Sequence, residues 1–595
     1  MLMVRMATAA VLLFGATAMA QPMPTGTQWR TPGDACVGLA LSDGVLWAAD
    51  RKAGTVVALD PDSGEVGRTV KLPCREPGGL AAAPGRLWCT EVVQGLLFEI
   101  DSASGRTVLR MEAPCDYPGA VTYADGLLWV HCPFEKKISV TDPADGTTVR
   151  WLPALSKRMS ALGSRETAGT SGRSEGESRA ERGKAGGGTT GKSTTGTGKT
   201  GSGAGKGAGA GPGSGIVLAA DREKDRIYFL ESGGGAVTAV LPLDSPFVTG
   251  LAFDGRRLFV SDYMADRIRV IDLDAVPAYT IEAEKTERVA FRHHVLSGGP
   301  TVLTDIDVWV ALPEDRPTQK ILALRPLPEG AVPQEAVDNQ GQRFWKFHVD
   351  EQAAGTEAVF GFEADVTIRQ VRWFTDPRRK ASAGDIPKDV RERYLADASK
   401  YRIDDPKVVE TVRAIAGDET NLHRLFYRTY RWVLDNMDYN LAGGWNAAPL
   451  LIERKTGSCS EYTILLVSLL RAAGIPARYV GSVVMRGEPA SVDLVFHRWA
   501  EVYLPGLGWL PVDANRGDAE WPADQADGYG FQDGVFLITT TGGGDSDILG
   551  WGYNSVAHYK QDGAAEVREW TSAEWEPLEA PAEEPPKGEE KLQCP

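Results

Sequence analysis

A 41-residue period constrains the first half of this chain more than any other feature. Trp47, Trp88 and Trp129 stand 41 residues apart, and so do Asp60, Asp101 and Asp142. Each unit reads as an apolar strand, a small turn, a Gly-x-Leu-Trp strand, another turn, an apolar strand and an Asp-rich turn before a last strand. The Asp-rich turns are Leu59 to Gly64, Ile100 to Gly105 and Thr141 to Gly146. Asp221 and Asp262 keep the same spacing of 41 further on.

Four short strands per unit, repeated near every 40 residues, predict a β-propeller over 32–286. Five blades are counted, and a sixth has room in less regular sequence. From Trp129 to Leu218 the spacing is 89, one period plus 48. The surplus is an insertion at 164–214, inside the turn between the first two strands of the fourth blade. Its Gly, Ser, Thr, Lys and Arg cannot bury a core, so it is expected to be disordered. The repeats resemble NHL-type propellers. That resemblance implies a binding platform, with a protein or cell-wall ligand as the expected partner.

The second half states a chemistry. Gly457-Ser458-Cys459 opens an apolar run, Ile464 to Leu470, that Gly474 and Pro476 stop. This predicts a buried helix with Cys459 at its N-terminus. Free backbone N–H groups and the helix dipole favour a thiolate there. A three-unit fall from the usual thiol pKa of ~8.5 is worth about 4 kcal/mol. His497, Trp499, Glu501 and Tyr503 alternate with Arg498, Ala500, Val502 and Leu504, the period of a strand. Pro505 to Gly508 is a turn, and Trp509 to Val512 returns. Asp513 then falls near His497 and can orient its ring. The expected roles are Cys459 as nucleophile, His497 as general base and acid, and Asp513 as orienter.

These pieces resemble the transglutaminase-like superfamily of papain-fold cysteine enzymes. The matching motifs are Gly-x-Cys before the apolar helix, Arg-Ala-x-Gly-Ile-Pro-Ala-Arg at 471–478, His-x-Trp-x-Glu-Val at 497–502, and Gly-Trp-x-Pro-Val-Asp at 508–513. The resemblance implies an α+β core over 386–560 and carries the family's triad onto Cys459, His497 and Asp513. Trp445, Asn446 and Trp499 are candidates for the cleft or oxyanion site. The Cys459 backbone N–H is the safer oxyanion donor. His558 ranks below His497 as a base, because it lacks the Trp-x-Glu context. Between the halves, 287–378 reads as a small antiparallel β-domain. It resembles the domain that precedes the core in bacterial transglutaminase-like proteins.

Residues 1–20 read as a secretory signal: Arg5, an apolar run from Ala7 to Phe14, and Ala18-Met19-Ala20. The run is too short to span a bilayer, so no membrane span is expected after cleavage. Export, periplasmic or extracellular, is the expected location. It permits disulfides among Cys36, Cys74, Cys89, Cys115 and Cys132, with pairing left open. Without Cys-x-x-Cys or His-x-x-x-His spacing, no metal and no cofactor are expected. A net charge of −16 argues against nucleic acid. The end, 561–595, reads as a solvated acidic tail rich in Pro and Glu.

The expected activity is acyl transfer on a protein or peptide amide, with hydrolysis favoured over crosslinking. The alternative is a non-catalytic exported binding protein whose propeller is the recognition surface.

Overall fold

The computed structural model describes residues 26–165, 215–245, 247–300, 302–441, 444–488, 490–542, 544–561 and 566–578. The expected signal at 1–20 lies outside the described residues, as do 166–214 of the expected insertion.

The repeats form five four-stranded antiparallel sheets. The first is Cys36–Ser42, Val45–Asp50, Thr55–Leu59 and Val66–Lys71, paired in chain order. The Trp of each Gly-x-Leu-Trp strand is buried: Trp47 and Trp88 are 3% exposed and Trp129 is 1%. The first strand of each sheet lies against the first strand of the next, and Val248–Phe253 returns to Cys36–Ser42. Backbones meet closely there. A β-carbon on Gly79 would stand 2.6 Å from Val121 N, and one on Gly250 would stand 2.6 Å from Leu39 N. Only glycine tolerates that approach.

The fifth sheet borrows a strand. Gln28–Arg30, ahead of the expected boundary at 32, pairs antiparallel with Arg267–Asp272. In the fourth sheet Met159–Ser164 pairs with Ile216–Asp221, so the described chain resumes directly opposite the point where it breaks off.

The middle domain is larger than 287–378. Tyr279–Gly298 is one 20-residue strand that runs through the expected boundary. It pairs with Glu357–Trp373 on one side and with Glu566–Pro577 on the other. A second sheet orders Gln334–Val337, Arg343–Gln352, Leu303–Ala311 and Ser555–Gln561. Phe291, Phe347, Phe362 and Trp575 belong to the core that these strands bury. Two expectations are corrected here. The expected core over 386–560 does not keep its last stretch, because Ser555–Gln561 pairs with Leu303–Ala311 of the middle domain. Residues 566–577 are not a solvated tail, because Ala573 and Trp575 are buried. Glutamates between the apolar positions conceal the strand's period of two.

The C-terminal domain wraps helices around one sheet. The helices are α1 Lys388–Tyr394, α2 Pro406–Ala416, α3 Leu422–Asn436, α4 Ala448–Arg454 and α5 Cys459–Ala472. Asp405 caps α2 by accepting from Lys407 N, Pro406 fills its first turn, and Gly417 ends it at φ 53°. The sheet orders Gly508–Val512, His497–Leu504, Ala477–Val484 and Phe536–Gly542. Every residue of α5 from Ser460 to Arg471 is buried. One apolar cluster runs from Trp129, Leu155, Tyr228 and Val237 of the repeat half into Phe426, Tyr430, Leu466 and Tyr529. The two halves therefore share a core.

Among the described residues no helix is long and apolar enough to cross a membrane.

Candidate active site

Cys459 is the first residue of α5, and Ser458 is its cap. The Ser458 N–H donates to Glu461 Oε2 at 3.1 Å, closing a capping box. Gly457 has no room for a side chain, since a β-carbon would stand 2.6 Å from Glu461 Cβ. Thr463 Oγ1 donates to Cys459 O at 2.8 Å and lies 3.4 Å from Arg498 O, which ties the first turn of α5 to the histidine strand.

That strand and its neighbour set the next pair. Ala500 pairs with Val512, and the hairpin carries His497 and Asp513 to the same end. His497 Nε2 stands 2.7 Å from Asp513 Oδ2. His497 also acts on the Cys459 side chain and lowers its thiol, and with Nε2 turned to Asp513 the nitrogen left for sulfur is Nδ1. The imidazole is backed by Trp499 and Phe536, each 5.7 Å away between ring centres. Asp513 accepts from Arg516 N at 3.1 Å, and its own N–H donates to Gly528 O at 2.7 Å.

Burial alone would neutralise all three groups. Burial does push the Cys459 thiol up, but the hydrogen bond and charge of His497, with Arg498 behind them, hold it below its usual value. Burial likewise works against the imidazolium. The Asp513 carboxylate outweighs it, Cys459 adds to the effect, and His497 is raised to about 10. Burial raises the Asp513 carboxyl, and the facing His497 brings it back below the usual carboxylate range. All three shifts act toward thiolate, imidazolium and carboxylate in a row.

The three other candidates are placed differently. Asn446 is not a free oxyanion donor: its Nδ2 is 2.6 Å from Glu461 Oε1, so it helps hold the capping carboxylate. Trp445 is 42% exposed, and its ring lies over the Arg498 guanidinium at 4.2 Å. Trp499 is 2% exposed and buttresses the histidine ring rather than facing the cleft. His558 lies in the middle domain, on a strand where it pairs with Asp307 and packs against Trp309.

Arg498 was missed. It is 1% exposed, enclosed by the rings of Trp445, Tyr479 and Tyr553 at 4.2, 4.6 and 4.2 Å. Its Nη2 donates to Trp551 O at 2.9 Å. In sequence it is one charged residue on the strand face of Ala500, Val502 and Leu504, and nothing nearby names what encloses it. Only the rings brought in by three other segments bury it.

Among the described residues, one group has metal-ligand spacing: Cys115, Cys132 and Glu135. Its two cysteines are joined as a disulfide, as are Cys74 and Cys89, and neither pair offers a thiolate.

A Bacillus subtilis protein, the uncharacterized YebA, is 29% identical over 142 residues, 22% of this chain and 18% of its own length. An uncharacterized Haemophilus influenzae protein is 30% identical over 158 residues and is covered over 42% of its length. A Pseudomonas aeruginosa protein-glutamine gamma-glutamyltransferase is 40% identical over 70 residues, 11% of this chain and 10% of its own. The chain thus spans less than half the length of these curated relatives. Among solved structures, a Cytophaga hutchinsonii protein described provisionally as a cysteine protease aligns with a TM-score of 0.34 at 17% identity. That alignment covers 49% of this chain and 99% of the other. Residues 409–514, which hold α3 to α5 and the Cys459, His497 and Asp513 cluster, match the model of the Transglutaminase-like superfamily.

Proposed function

We propose that the C-terminal domain is a cysteine acyltransferase that cleaves protein or peptide amides, with water as the usual acceptor. The observation that carries this reading is His497, held 2.7 Å from Asp513 on one side and lowering the Cys459 thiol on the other. The Cys459 sulfur attacks the amide carbonyl carbon, and a C–S bond forms. The backbone N–H of Cys459, at the open start of α5, faces the developing oxyanion. As the C–N bond breaks, the His497 imidazolium gives its proton to the departing amine. The now neutral imidazole takes a proton from water, hydroxide adds to the thioester, and the thiolate leaves.

An amine in place of water gives crosslinking. The first half-reaction is common to both outcomes. The likeness of 70 residues to a protein-glutamine gamma-glutamyltransferase keeps the amine outcome in view. In the same reading the five sheets are the blades of a five-bladed propeller, an exported platform that selects the substrate.

The test is alkylation of Cys459 against pH, followed by amide turnover with and without added primary amine. The expected result is fast labelling well below pH 7, lost in His497→Ala, and a product mass that records water. A product that carries the amine converts the assignment to crosslinking. Labelling that rises only near ~8.5, with no turnover, overturns the enzyme and leaves a binding protein.

A further inference from the structure

The segment 522–530 lies between the candidate triad and the repeat sheets, and it is tied to both. On the triad side, Asp513 N–H donates to Gly528 O at 2.7 Å and Gly530 N–H donates to Pro511 O at 2.9 Å. Val512 bridges Tyr529 in the same stretch. These bonds back the end of the strand that carries Asp513.

On the other side the partners come from the repeat half. Lys224 Nζ stands 2.6 Å from Asp524 and 2.8 Å from Asp527. Arg226 donates to Asp527 at 3.0 Å. The Tyr529 hydroxyl donates to Val237 O at 2.7 Å, and Ala523 N–H donates to Leu155 O at 3.1 Å. Arg372 of the middle domain adds a third cation on Asp527 at 2.6 Å. Asp527 is 15% exposed, and Arg226 and Arg372 also face Glu282. Three cations around one half-enclosed carboxylate make it costly for the segment to leave.

The segment could shift if these ties were cut. A cavity of about 230 Å³ adjoins it, lined by Pro153, Gly235, Tyr427, Tyr430, Gln525 and Tyr529. The pairing of Asp513 with His497 depends on placement to within a few tenths of an ångström.

We infer that the repeat sheets are a working part of the catalytic centre: Lys224 and Arg226 are positioning residues that, with the Val237 carbonyl that accepts from Tyr529, hold 522–530, and through it Asp513, in register with His497. This rests on the catalytic reading of Cys459, His497 and Asp513. It differs from simple domain adhesion, because adhesion predicts effects on stability alone. Positioning predicts that a change in the repeat half alters the ionisation of the Cys459 thiol.

The experiment uses the full chain and follows iodoacetamide labelling of Cys459 against pH, with near-ultraviolet circular dichroism as the control for folding. Lys224→Glu sets a carboxylate against Asp524 and Asp527. It is expected to raise the labelling midpoint by about one pH unit, roughly a tenfold loss of thiolate at lower pH. The exchanged pair Lys224→Glu with Asp524→Lys is expected to bring the midpoint back. A folded Lys224→Glu protein with the wild-type midpoint overturns the inference. Should Lys224→Glu fail to fold, Tyr529→Phe replaces it, since only the hydroxyl that reaches Val237 O is lost; an unmoved midpoint there overturns the inference equally. A wild-type thiol that titrates like free cysteine overturns the catalytic reading and this one together. A low wild-type midpoint that is unchanged in the variants overturns this one alone.

Discussion

The Arg498 guanidinium lies 4.2 Å beneath the Trp445 ring and, among the described residues, has no carboxylate within salt-bridge distance. Its Nε and Nη1 also lack hydrogen-bond partners there. A buried cation of this kind is costly to keep. The anion it serves is the Cys459 thiolate, whose pKa it helps to lower. Arg498→Met is therefore expected to leave thermal stability unchanged or raised, while labelling of Cys459 at pH 6 slows by roughly threefold. Differential scanning calorimetry and a labelling time course check the two halves of this expectation.

The pH dependence of activity follows from the same cluster. The acid limb of kcat/KM reports the Cys459 thiol, which lies below its usual value, and the alkaline limb reports His497 at about 10. Asp513→Asn removes the largest force that raises His497. The alkaline limb should then move down, and kcat should fall by about 10²- to 10⁴-fold. A pH–rate profile of both proteins measures this.

The pair also shapes stability. His497 is raised in the folded state, so its contribution is complete below the unfolded value of ~6.5 and is lost as pH rises toward about 10. Cys459 is lowered, so its contribution is complete above the unfolded value of ~8.5 and is lost as pH falls through its folded value. Between ~8.5 and about 10 the folded pair keeps the His497 proton that the unfolded pair has lost. Stability relative to a Cys459→Ala/His497→Ala double variant should thus decline as pH rises through that window. Urea denaturation at half-unit steps of pH resolves the decline.

Glu461 is fully buried and accepts from Ser458 N at 3.1 Å and Asn446 Nδ2 at 2.6 Å. Glu461→Ala strands both donors at the start of α5. A loss of about 1–3 kcal/mol of folding stability is expected, read from denaturant unfolding.

Native alkylation should discriminate among cysteines. Cys36 is 3% exposed and burial pushes its thiol up to about 11, so it should stay unlabelled while Cys459 reacts. Peptide mapping after a short iodoacetamide pulse at pH 6.5 identifies the labelled residue. Reduction of Cys74–Cys89 or Cys115–Cys132, each closing a loop of 15 or 17 residues, is expected to cost about 3 kcal/mol per bond.

What could be read from the sequence was local. The caps and stops of α5 lie within a few residues of it, so Ser458 and Gly474 announce the helix. The turn at Pro505 to Gly508 fixes the register that brings Asp513 to His497, so the pair is legible as well. What escaped was supplied from far along the chain. Gln28–Arg30 has nothing in its own composition that names Arg267–Asp272 as its partner. Glu566–Pro577 hides an apolar face among charges until Tyr279–Gly298 meets it. Arg498 and Asn446 take their surroundings from tertiary packing, which period and spacing do not encode.

The strand Glu566–Pro577 has a second edge, and on it lies Ser491–Asp493, the short strand just ahead of His497. The chain leaves the ribosome from its N-terminus, so Cys459, His497 and Asp513 emerge well before that edge exists. Ser491–Asp493, and with it the approach to His497, gains its strand partner only when Glu566–Pro577 has been made and has docked. A protein built in this order carries its own delay: Cys459, His497 and Asp513 are all in the nascent chain before the strand that pairs beside the histidine.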